Sequence, residues 1–448
     1  MTAVVRAALE AADAGGLVRQ ALAAVDIEDA LRSAAAVDVV AVGKAARPML
    51  RAAVAAAAQV PLRHVKGVSA HLPEPMPAGA TWHAAAHPVP DDRSVAAARA
   101  VLGIATAAHD RDLLVLLLSG GASALMALPA AGISLEDKQR TSRRLLTEGA
   151  EVHALNAVRK HLSAIKGGQL AAAAGGAVLT LAVSDVVGDD LSAIGSGPTA
   201  PDVTTFADAL AELDRHGGLD GYPAAVVARL TGGATGAIPE TPKAGDPRLS
   251  RSTARVIGGA RTAINGARAA AESRGYVVHV MEEPVTGEAR LAAHRLLEAA
   301  SRAVKAPAAS DPAGTADPRR AARTLTVGGR PLCILAAGEM TVRVAGRGKG
   351  GRNQECALAM ARGLEAVGKA VVAASIGTDG VDGPTDAAGG IVDTTTLVRA
   401  EAADIGPPER YLEDNNSYAF LDGIGDLIRT GPTNTNVGDL QVILVGSW

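Results

Sequence analysis

Short apolar segments alternate with longer alanine-rich segments along almost the whole chain. Continuous apolar strands followed by helices are typical of parallel sheets that are covered on both faces. Aromatic residues make up only 2% of the chain, so the core must be built from aliphatic and alanine side chains. The most apolar run, Leu113–Leu118, is far too short to cross a bilayer. The sequence therefore predicts an α/β fold with largely parallel sheets.

Two segments interrupt this alternation and mark candidate domain boundaries. Residues 232–249 contain three prolines and four glycines without apolar periodicity, so we interpret them as a linker. Residues 306–322 are rich in Pro, Ala and Asp, and they are predicted to form a surface insertion or a second hinge. We therefore expect one α/β domain at 1–231 and another at 250–448.

The charge balance limits the classes of function that the chain can serve. Lys and Arg number 44 against 47 Asp and Glu, and the net charge of −3 argues against a nucleic-acid-binding protein. Arg6, Glu10, Asp13 and Arg19 interrupt the N-terminal apolar stretch, which is typical of an amphipathic helix rather than a signal peptide. We expect a cytoplasmic protein that acts on small molecules, without nucleic-acid or membrane partners. The sequence leaves open whether the protein forms a homo-oligomer.

Ligands of open α/β sheets bind outside the carboxyl ends of the strands, so the loops that follow the strands are the candidate site. Lys44 follows the predicted strand Val37–Val42. A lysine at this position either meets an anion, which the next helix would also attract, or extends to the surface.

A second candidate loop follows Leu113–Leu118 and consists of Ser119, Gly120, Gly121, Ala122 and Ser123. Its two glycines permit close approach of a ligand, and the helix after it offers N–H groups and a positive dipole end. We interpret this loop as an oxyanion or phosphate site. The alternative is a tight turn that needs glycine only for its geometry.

Three carboxylates follow the predicted strand Ala177–Val183, at Asp185, Asp189 and Asp190. Carboxylates at a strand end suit a hard cation, and Mg²⁺ is the usual one where phosphates also bind. One of the three could instead act as a general base toward a hydroxyl, and one is expected to cap a helix. Our assignment is Asp185 as the base and the other two as metal ligands, although the spacing does not choose between these roles.

A glycine-rich segment farther along the chain ends at Arg352. Gly346, Gly348 and Gly351 match the G-x-G-x-x-G spacing, but the acidic residue expected about 20 residues later is displaced to Asp379. The three cations of this segment suit a polyphosphate better than a nicotinamide dinucleotide, because arginine can clamp anionic oxygens with two hydrogen bonds. The chain contains no P-loop motif, so a nucleotide would bind without one.

Two weaker candidates complete the set. The loop from Asp379 to Asp386 follows an apolar run and is expected to bind a metal or sugar hydroxyls, with an Asp-rich structural turn as the alternative. Glu339 lies in a predicted turn between two strands at 332–336 and 341–345.

Taken together, these loops resemble those of the class II glycerate kinases (glycerate 2-kinases), whose C-terminal part is called the MOFRL domain. The resemblance extends over nearly the whole chain, and its most specific parts are Gly350–Glu355 and Gly377–Asp386. The other matching segments are Val42–Lys44, His87–Asp91, Leu118–Ser123, Ser184–Asp190, Gly195–Thr199 and Gly431–Asn436.

The resemblance implies two α/β domains, the first Rossmann-like, with the active site in the cleft between them. It also implies phosphorylation of D-glycerate at its 2-hydroxyl with ATP and Mg²⁺. The family's catalytic lysine and arginine fall on Lys44 and Arg352. Members are often named hydroxypyruvate reductases, so an NAD(P)H-dependent reductase is the alternative. We assign substrate and nucleotide contacts to Ser119, Gly120, Gly121, Ser123, Glu339, Gly350, Gly351, Asn353 and Asp379.

Overall fold

The uninterrupted apolar runs form buried strands, as predicted: every residue of Val37–Val42 and Leu113–Leu118 is buried. The computed structural model describes residues 1–73, 75–305, 330–368 and 370–446, so the predicted insertion at 306–322 lies outside the described residues. The strands are β1 (Val37–Val42), β2 (Leu62–Ser69), β3 (Thr81–Ala84), β4 (Leu113–Leu118), β5 (Ala177–Val183), β6 (Ser252–Gly258), β7 (Val277–Val280), β8 (Val285–Glu288), β9 (Leu332–Thr341), β10 (Val371–Gly377), β11 (Gly389–Asp393), β12 (Leu427–Ile428) and β13 (Asp439–Val445).

The alanine-rich segments form helices, as the high helix propensity of alanine favours. In the described part of the chain, none of these helices combines the length and the apolar character that a membrane span requires. The helices are α1 (Thr2–Ala11), α2 (Ala14–Leu22), α3 (Val25–Ser33), α4 (Ala46–Ala56), α5 (Asp92–Ala107), α6 (Ala122–Leu125), α7 (Leu135–Thr147), α8 (Val152–His161), α9 (Gln169–Ala172), α10 (Phe206–Arg215), α11 (Ala224–Ala234), α12 (Ala260–Glu272), α13 (Ala289–Lys305), α14 (Arg352–Ala361), α15 (Leu364–Val367), α16 (Thr396–Ala402), α17 (Pro408–Glu413) and α18 (Ser417–Gly423).

Six parallel strands form the sheet of a first unit, Ala14–Gly258, in the order β3-β2-β1-β4-β5-β6. This is the strand order of Rossmann-like sheets, which confirms that prediction. β1 pairs with both β2 and β4, and its last residue, Val42, is in register with Val68 and Leu118. The strand order reverses between β1 and β4. Ligands of such sheets bind at this switch point, outside the carboxyl ends of the two strands.

Four helices of the first unit build a second apolar core. Leu145 of α7, Leu155 of α8, Leu213 of α10 and Leu230 of α11 are all buried in it. Phe206 joins this core, and its ring lies 4.6 Å from that of His161, measured between centroids, with an edge-to-face geometry. The packing of α7 and α8 in this core therefore fixes the positions of the polar residues on these two helices.

The sheet of the second unit is mixed, which differs from the largely parallel pairing that we expected. Its order is β12-β11-β10-β13-β9-β7, and β13 runs antiparallel to both β9 and β10. Instead of the two strands predicted at 332–336 and 341–345, the structure has one strand, β9. Glu339 therefore lies within a strand rather than in a turn. Gly338 had indicated the turn, but β8 packs against it so closely that a Cβ would lie 2.1 Å from the Val285 carbonyl oxygen.

The two compact units of the structure have other bounds than the domains at 1–231 and 250–448, which stay a prediction. The first unit extends through Gly258, because β6 pairs in parallel with β5 and completes the first sheet. Residues 232–249 lie within this compact unit. The second unit combines Met1–Asp13 with the residues from Gly259 onward, because α1 packs against α12. Sequence order alone did not indicate that the first helix belongs to the C-terminal half.

Two helical glycines allow the packing of α1 against α12 to be tested. A Cβ at Gly266 of α12 would lie 2.5 Å from both the Ala7 carbonyl oxygen and the Ala11 Cβ, whereas a Cβ at Gly103 of α5 would meet nothing within 4 Å. Both substitutions by alanine gain helix propensity. We expect Gly103→Ala to raise the free energy of unfolding by about 0.5–1 kcal/mol. We expect Gly266→Ala to lower it by about 1–3 kcal/mol, because α1 must move.

Thermal unfolding of the two variants beside the unmodified chain measures this difference. Equal melting temperatures for Gly103→Ala and Gly266→Ala would contradict the close contact of α1 with α12.

Candidate active site

Lys44 and the loop that follows β4 meet at the carboxyl ends of β1 and β4. The backbone N–H of Lys44 donates to the carbonyl of Gly120 at 2.9 Å, and the N–H of Ala45 donates to Ser119 Oγ at 3.1 Å. We call residues 43–45 and 119–121 the switch-point loops. The structure therefore brings together two of the sequence-predicted candidates.

Glycine is required where the switch-point loops touch. Gly43 has a φ of +131°, and a Cβ there would lie 2.1 Å from Ser119 Oγ. Gly121 has a φ of +84°, and its Cβ would lie 3.1 Å from the ring of His87. The Lys44 side chain is exposed to solvent. This exposure agrees with either alternative for Lys44, so its contact with an anion stays a prediction.

The helix after the second switch-point loop differs from what the sequence suggested. α6 has only four residues, Ala122–Leu125, so few peptide dipoles add up at its N-terminus. Ser123 is instead held by Lys166, whose ammonium donates to the Ser123 carbonyl at 2.9 Å and to Ser123 Oγ at 3.1 Å. Sequence reasoning missed Lys166, because a single lysine before two glycines carries no recognisable pattern.

The three predicted carboxylates follow β5, which is the neighbour of β4 in the sheet. Asp190 accepts hydrogen bonds from the N–H of Ser192 at 2.8 Å and from its hydroxyl at 2.9 Å. These contacts hold a turn, whereas the next helical turn, Ile194–Ser196, has Ala193 at its N-cap and no side-chain cap. Asp185 and Asp189 are half-buried. Within the described residues, no group of three His, Cys, Asp or Glu side chains is placed to hold a metal ion. One or two carboxylates with phosphate oxygens are nevertheless the donor set that Mg²⁺ takes, so Asp185 and Asp189 fit it chemically.

In the second unit, a buried carboxylate holds Arg352, the first residue of α14. The Nε–H of Arg352 donates to both oxygens of Asp439, at 3.0 and 2.8 Å, and Nη1 lies 3.6 Å from Glu339 Oε1. Asp439 is fully buried, whereas 34% of the Arg352 side chain is exposed. Burial raises the pKa of Asp439 against the opposing effect of Arg352. Burial also opposes the charge of Arg352, but Asp439 and Glu339 outweigh it and raise the arginine pKa.

The residues that follow Arg352 point into the protein. Asn353, predicted to contact substrate, is buried and uses both ends of its amide internally: Nδ2 donates to Asp439 at 2.8 Å, and Oδ1 accepts from the Ser375 hydroxyl at 2.7 Å. The Gln354 and Glu355 side chains are also buried. The amide of Gln354 and the carboxylate of Glu355 each bond to another segment of the second unit. The second unit thus uses these three side chains to hold Arg352 in place.

Asp382 caps α14 from a distant loop, a role that sequence reasoning missed. Its carboxylate accepts from the N–H of Asn353 at 3.1 Å and from the N–H of Gln354 at 2.9 Å. Burial raises the pKa of Asp382 to about 6, although these two N–H donors oppose the shift. We call Arg352, Asn353, Ser375, Asp382 and Asp439 the arginine network.

The other aspartates of the loop at 379–386 have separate partners. Asp379 accepts from the N–H of Val381 at 3.1 Å, and Asp386 accepts from the Tyr418 hydroxyl at 2.7 Å. The structural turn offered as the alternative for this loop agrees with these contacts. A substrate contact by Asp379 stays a prediction.

The segment with the G-x-G-x-x-G spacing is packed against residues 414–417 rather than open to a ligand. The N–H groups of Ala345 and Gly346 both donate to Asn415 Oδ1 at 2.8 Å, and the N–H of Gly348 donates to the Asp414 carbonyl at 2.8 Å. Cβ atoms at the two predicted nucleotide contacts would collide with neighbouring side chains, at 2.3 Å from Ser417 Oγ for Gly350 and 2.3 Å from Asp382 Cγ for Gly351. Close packing therefore explains these glycines without a dinucleotide.

Comparison with known proteins identifies relatives over both units. Residues 1–231 match the model of a domain of unknown function (DUF4147), and residues 332–439 match the model of the MOFRL family. The D-glycerate 2-kinase of Thermotoga maritima is 37% identical over 416 residues, which cover 91% of this chain and 90% of that protein. A protein of Agrobacterium vitis that carries a provisional hydroxypyruvate reductase name is 39% identical over 367 residues, 81% of this chain and 76% of that protein.

A solved structure shares the fold. The crystal structure of a glycerate kinase from Thermotoga maritima matches with a TM-score of 0.80 at 35% identity, and the match covers 99% of this chain and 97% of that chain. At this identity and coverage, the relationship extends through both units.

The raised pKa of Asp382 predicts a pH-dependent stability with a defined sign. The unfolded chain ionises this carboxyl near 3.8, whereas the folded protein does so at about 6. The folded form holds the proton more tightly, so the contribution of Asp382 to stability is fully present below the unfolded pKa and is lost as the pH rises through about 6. Relative to Asp382→Asn, the unmodified chain should lose roughly 3 kcal/mol of unfolding free energy between about pH 4 and about pH 7.

Asp386→Asn is the matched control, because the contribution of Asp386 to stability is expected to change with pH in the opposite direction. The hydrogen bond from Tyr418 holds the pKa of Asp386 below its ordinary value, so its contribution is present above that value and is lost as the pH falls. Melting temperatures across this pH range, extended to below about pH 4 for Asp386, measure both differences. A constant difference between the unmodified chain and Asp382→Asn would refute the raised pKa.

Proposed function

The chain belongs to the glycerate 2-kinase family, and from this premise we propose that it transfers the terminal phosphoryl group of ATP to the 2-hydroxyl of D-glycerate, with 2-phosphoglycerate and ADP as products. The position of Arg352 is the main structural support for the catalytic residues that we assign. Among the side chains at 350–355, that of Arg352 reaches the surface while Asn353, Gln354 and Glu355 are buried.

Phosphoryl transfer depends mainly on positioning and on neutralising the charge that spreads over the moving phosphoryl oxygens. Asp439 already orients the Arg352 guanidinium, so this cation needs little reorganisation when the transition state forms. Lys44 supplies a second cation, at the switch point of the first sheet, where ligands of such sheets bind. We assign Lys44 and Arg352 each to the neutralisation of phosphate charge, and we assign Asp185 to accepting the proton of the glycerate hydroxyl.

Mg²⁺ and ATP belong to the same proposal. Bound Mg²⁺ would neutralise part of the charge of the phosphates. Asp189 is the carboxylate that we assign to the metal. Asp190, our other predicted ligand, already uses both oxygens on Ser192 and is expected to contribute less. A cytoplasmic location and a homo-oligomeric state stay predictions of the sequence.

The reductase alternative has less support. It would need the segment with the G-x-G-x-x-G spacing to receive a pyrophosphate, and a pyrophosphate binds to backbone N–H groups at such a segment. The N–H groups of Gly346 and Gly348 are instead used by Asn415 and Asp414.

Two parallel assays test the proposed function. With D-glycerate, ATP and Mg²⁺, the purified protein should release ADP, and chelation of the metal by EDTA should stop the reaction because Mg²⁺ neutralises the phosphates. With hydroxypyruvate and NADH, no NADH should be oxidised. NADH consumption without ADP release would reverse the assignment in favour of the reductase.

Substitution of the two cations tests the site. Lys44→Ala and Arg352→Ala should each lower kcat by on the order of 10²–10³, because each removes a positioned charge from the transition state. Arg352→Lys should restore activity only in part, since an ammonium does not reproduce the planar fork of a guanidinium. Arg268→Ala, an exposed arginine of α12 outside the candidate site, is the control and should change kcat little.

Melting temperatures accompany these measurements so that loss of activity is not confused with unfolding. Near-normal kcat in folded Lys44→Ala and Arg352→Ala would show that the charges lie elsewhere, and the loop at 379–386 would then be the next candidate.

A further inference from the structure

Lys166 is a buried cation that ties together two loops of the first unit. Only 2% of the residue is exposed. Its Nζ donates to the carbonyl of Ser123 at 2.9 Å, to the Ser123 hydroxyl at 3.1 Å and to the carbonyl of Gly195 at 3.1 Å. The segment after β4 and the segment at 195–199 are therefore joined through one ammonium group.

Lys166 is the first member of a chain of hydrogen bonds. Ser196 donates its hydroxyl proton to Asn156 Oδ1 at 3.0 Å, and Ser196 Oγ lies 2.8 Å from Ser123 Oγ, where either hydroxyl can be the donor. As an ammonium, Lys166 uses all three of its protons, on two carbonyl oxygens and on the Ser123 hydroxyl.

Two more cations lie close to Lys166. Lys138 of α7 is 6% exposed and donates to the carbonyl of Leu162 at 3.1 Å. Arg159 lies on α8 one turn after Asn156, on the same side of the helix, and it is half-buried. Burial, and after it the positive charges of Lys138 and Arg159, lower the pKa of Lys166 well below its ordinary value.

These cations differ from the neighbouring lysine in having no carboxylate partner. Lys160, the residue next to Arg159, forms a buried ion pair with Asp202 at 3.1 Å. Within the described residues, no carboxylate forms an ion pair with Lys138, Arg159 or Lys166. Positive charges that are buried beside one another destabilise a fold unless an anion approaches them.

We propose that Arg159, with Lys166 and Lys138 behind it, forms an oxyanion subsite of the first unit. Arg159 contacts the anion, because this residue is partly exposed to solvent and a guanidinium can bind two oxygens at once. Lys166 is a positioning residue that acts through Ser123 and the loop at 195–199. The inference rests on the proposed function for its ligand: the oxyanion is either the carboxylate of glycerate or a phosphate of ATP.

Binding of inorganic phosphate tests the subsite without reference to kinase activity. Phosphate should raise the melting temperature of the unmodified chain and of Arg143→Gln, an exposed arginine of α7 that serves as the control. It should raise that of Arg159→Gln much less. Equal stabilisation of Arg159→Gln and the control by phosphate would overturn the inference, even if the protein proves not to be a glycerate kinase.

Steady-state kinetics then identifies the source of the oxyanion. Arg159→Gln should raise one KM by on the order of 10²-fold with little change in kcat, because a desolvated charge contact is lost. A rise in the KM for glycerate assigns the carboxylate, and a rise in the KM for ATP assigns a phosphate. Arg159→Lys should recover part of the loss, since it keeps the charge without the fork. Unchanged KM values for both substrates would exclude a role of this subsite in the reaction.

Discussion

The ion pair of Arg352 with the buried carboxylate of Asp439 is the interaction on which the arginine network depends. A buried carboxylate costs several kcal/mol unless charge and hydrogen bonds compensate it. Asp439 receives that compensation from the Arg352 guanidinium, the Asn353 amide and the backbone of Met340. Asp382, beside it, is compensated by the N–H groups of α14. Since each partner needs the others, the beginning of α14 is fixed, and the exposed part of Arg352 is presented in one orientation.

The two units differ in whether their buried charged side chains have neutralising partners. The second unit buries Asp382 and Asp439 and satisfies both within the arginine network. The first unit buries Lys138 and Lys166 beside Arg159 without a carboxylate in the described residues to neutralise them. A satisfied network provides rigidity, whereas an uncompensated set of like charges creates a potential that attracts an anion. This difference agrees with a rigid cation in one unit and an anion-binding surface in the other.

The sequence indicated the elements that depend on local pattern and missed those that depend on distant partners. β1, β4 and the switch-point loops could be predicted, because an apolar run followed by glycine is a local signal and parallel strands end at one edge. The role of Asp382 depends on Asn353, 29 positions away, and that of Asp439 on Arg352, 87 positions away. Spacing carries no information on such contacts. The antiparallel pairing of β13 and the packing of α1 on α12 were missed for the same reason.

Close packing requires the glycines that precede α14. The spacing of Gly346, Gly348 and Gly351 matches a dinucleotide motif, yet the contacts at these positions are with residues 414–417 and with Asp382. The same close packing places Gly351 directly before Arg352, so that Asp382 can cap α14. A larger residue at Gly351 would displace the Asp382 carboxylate and with it the first turn of the helix. The glycine spacing of this segment therefore follows from the packing that orients Arg352.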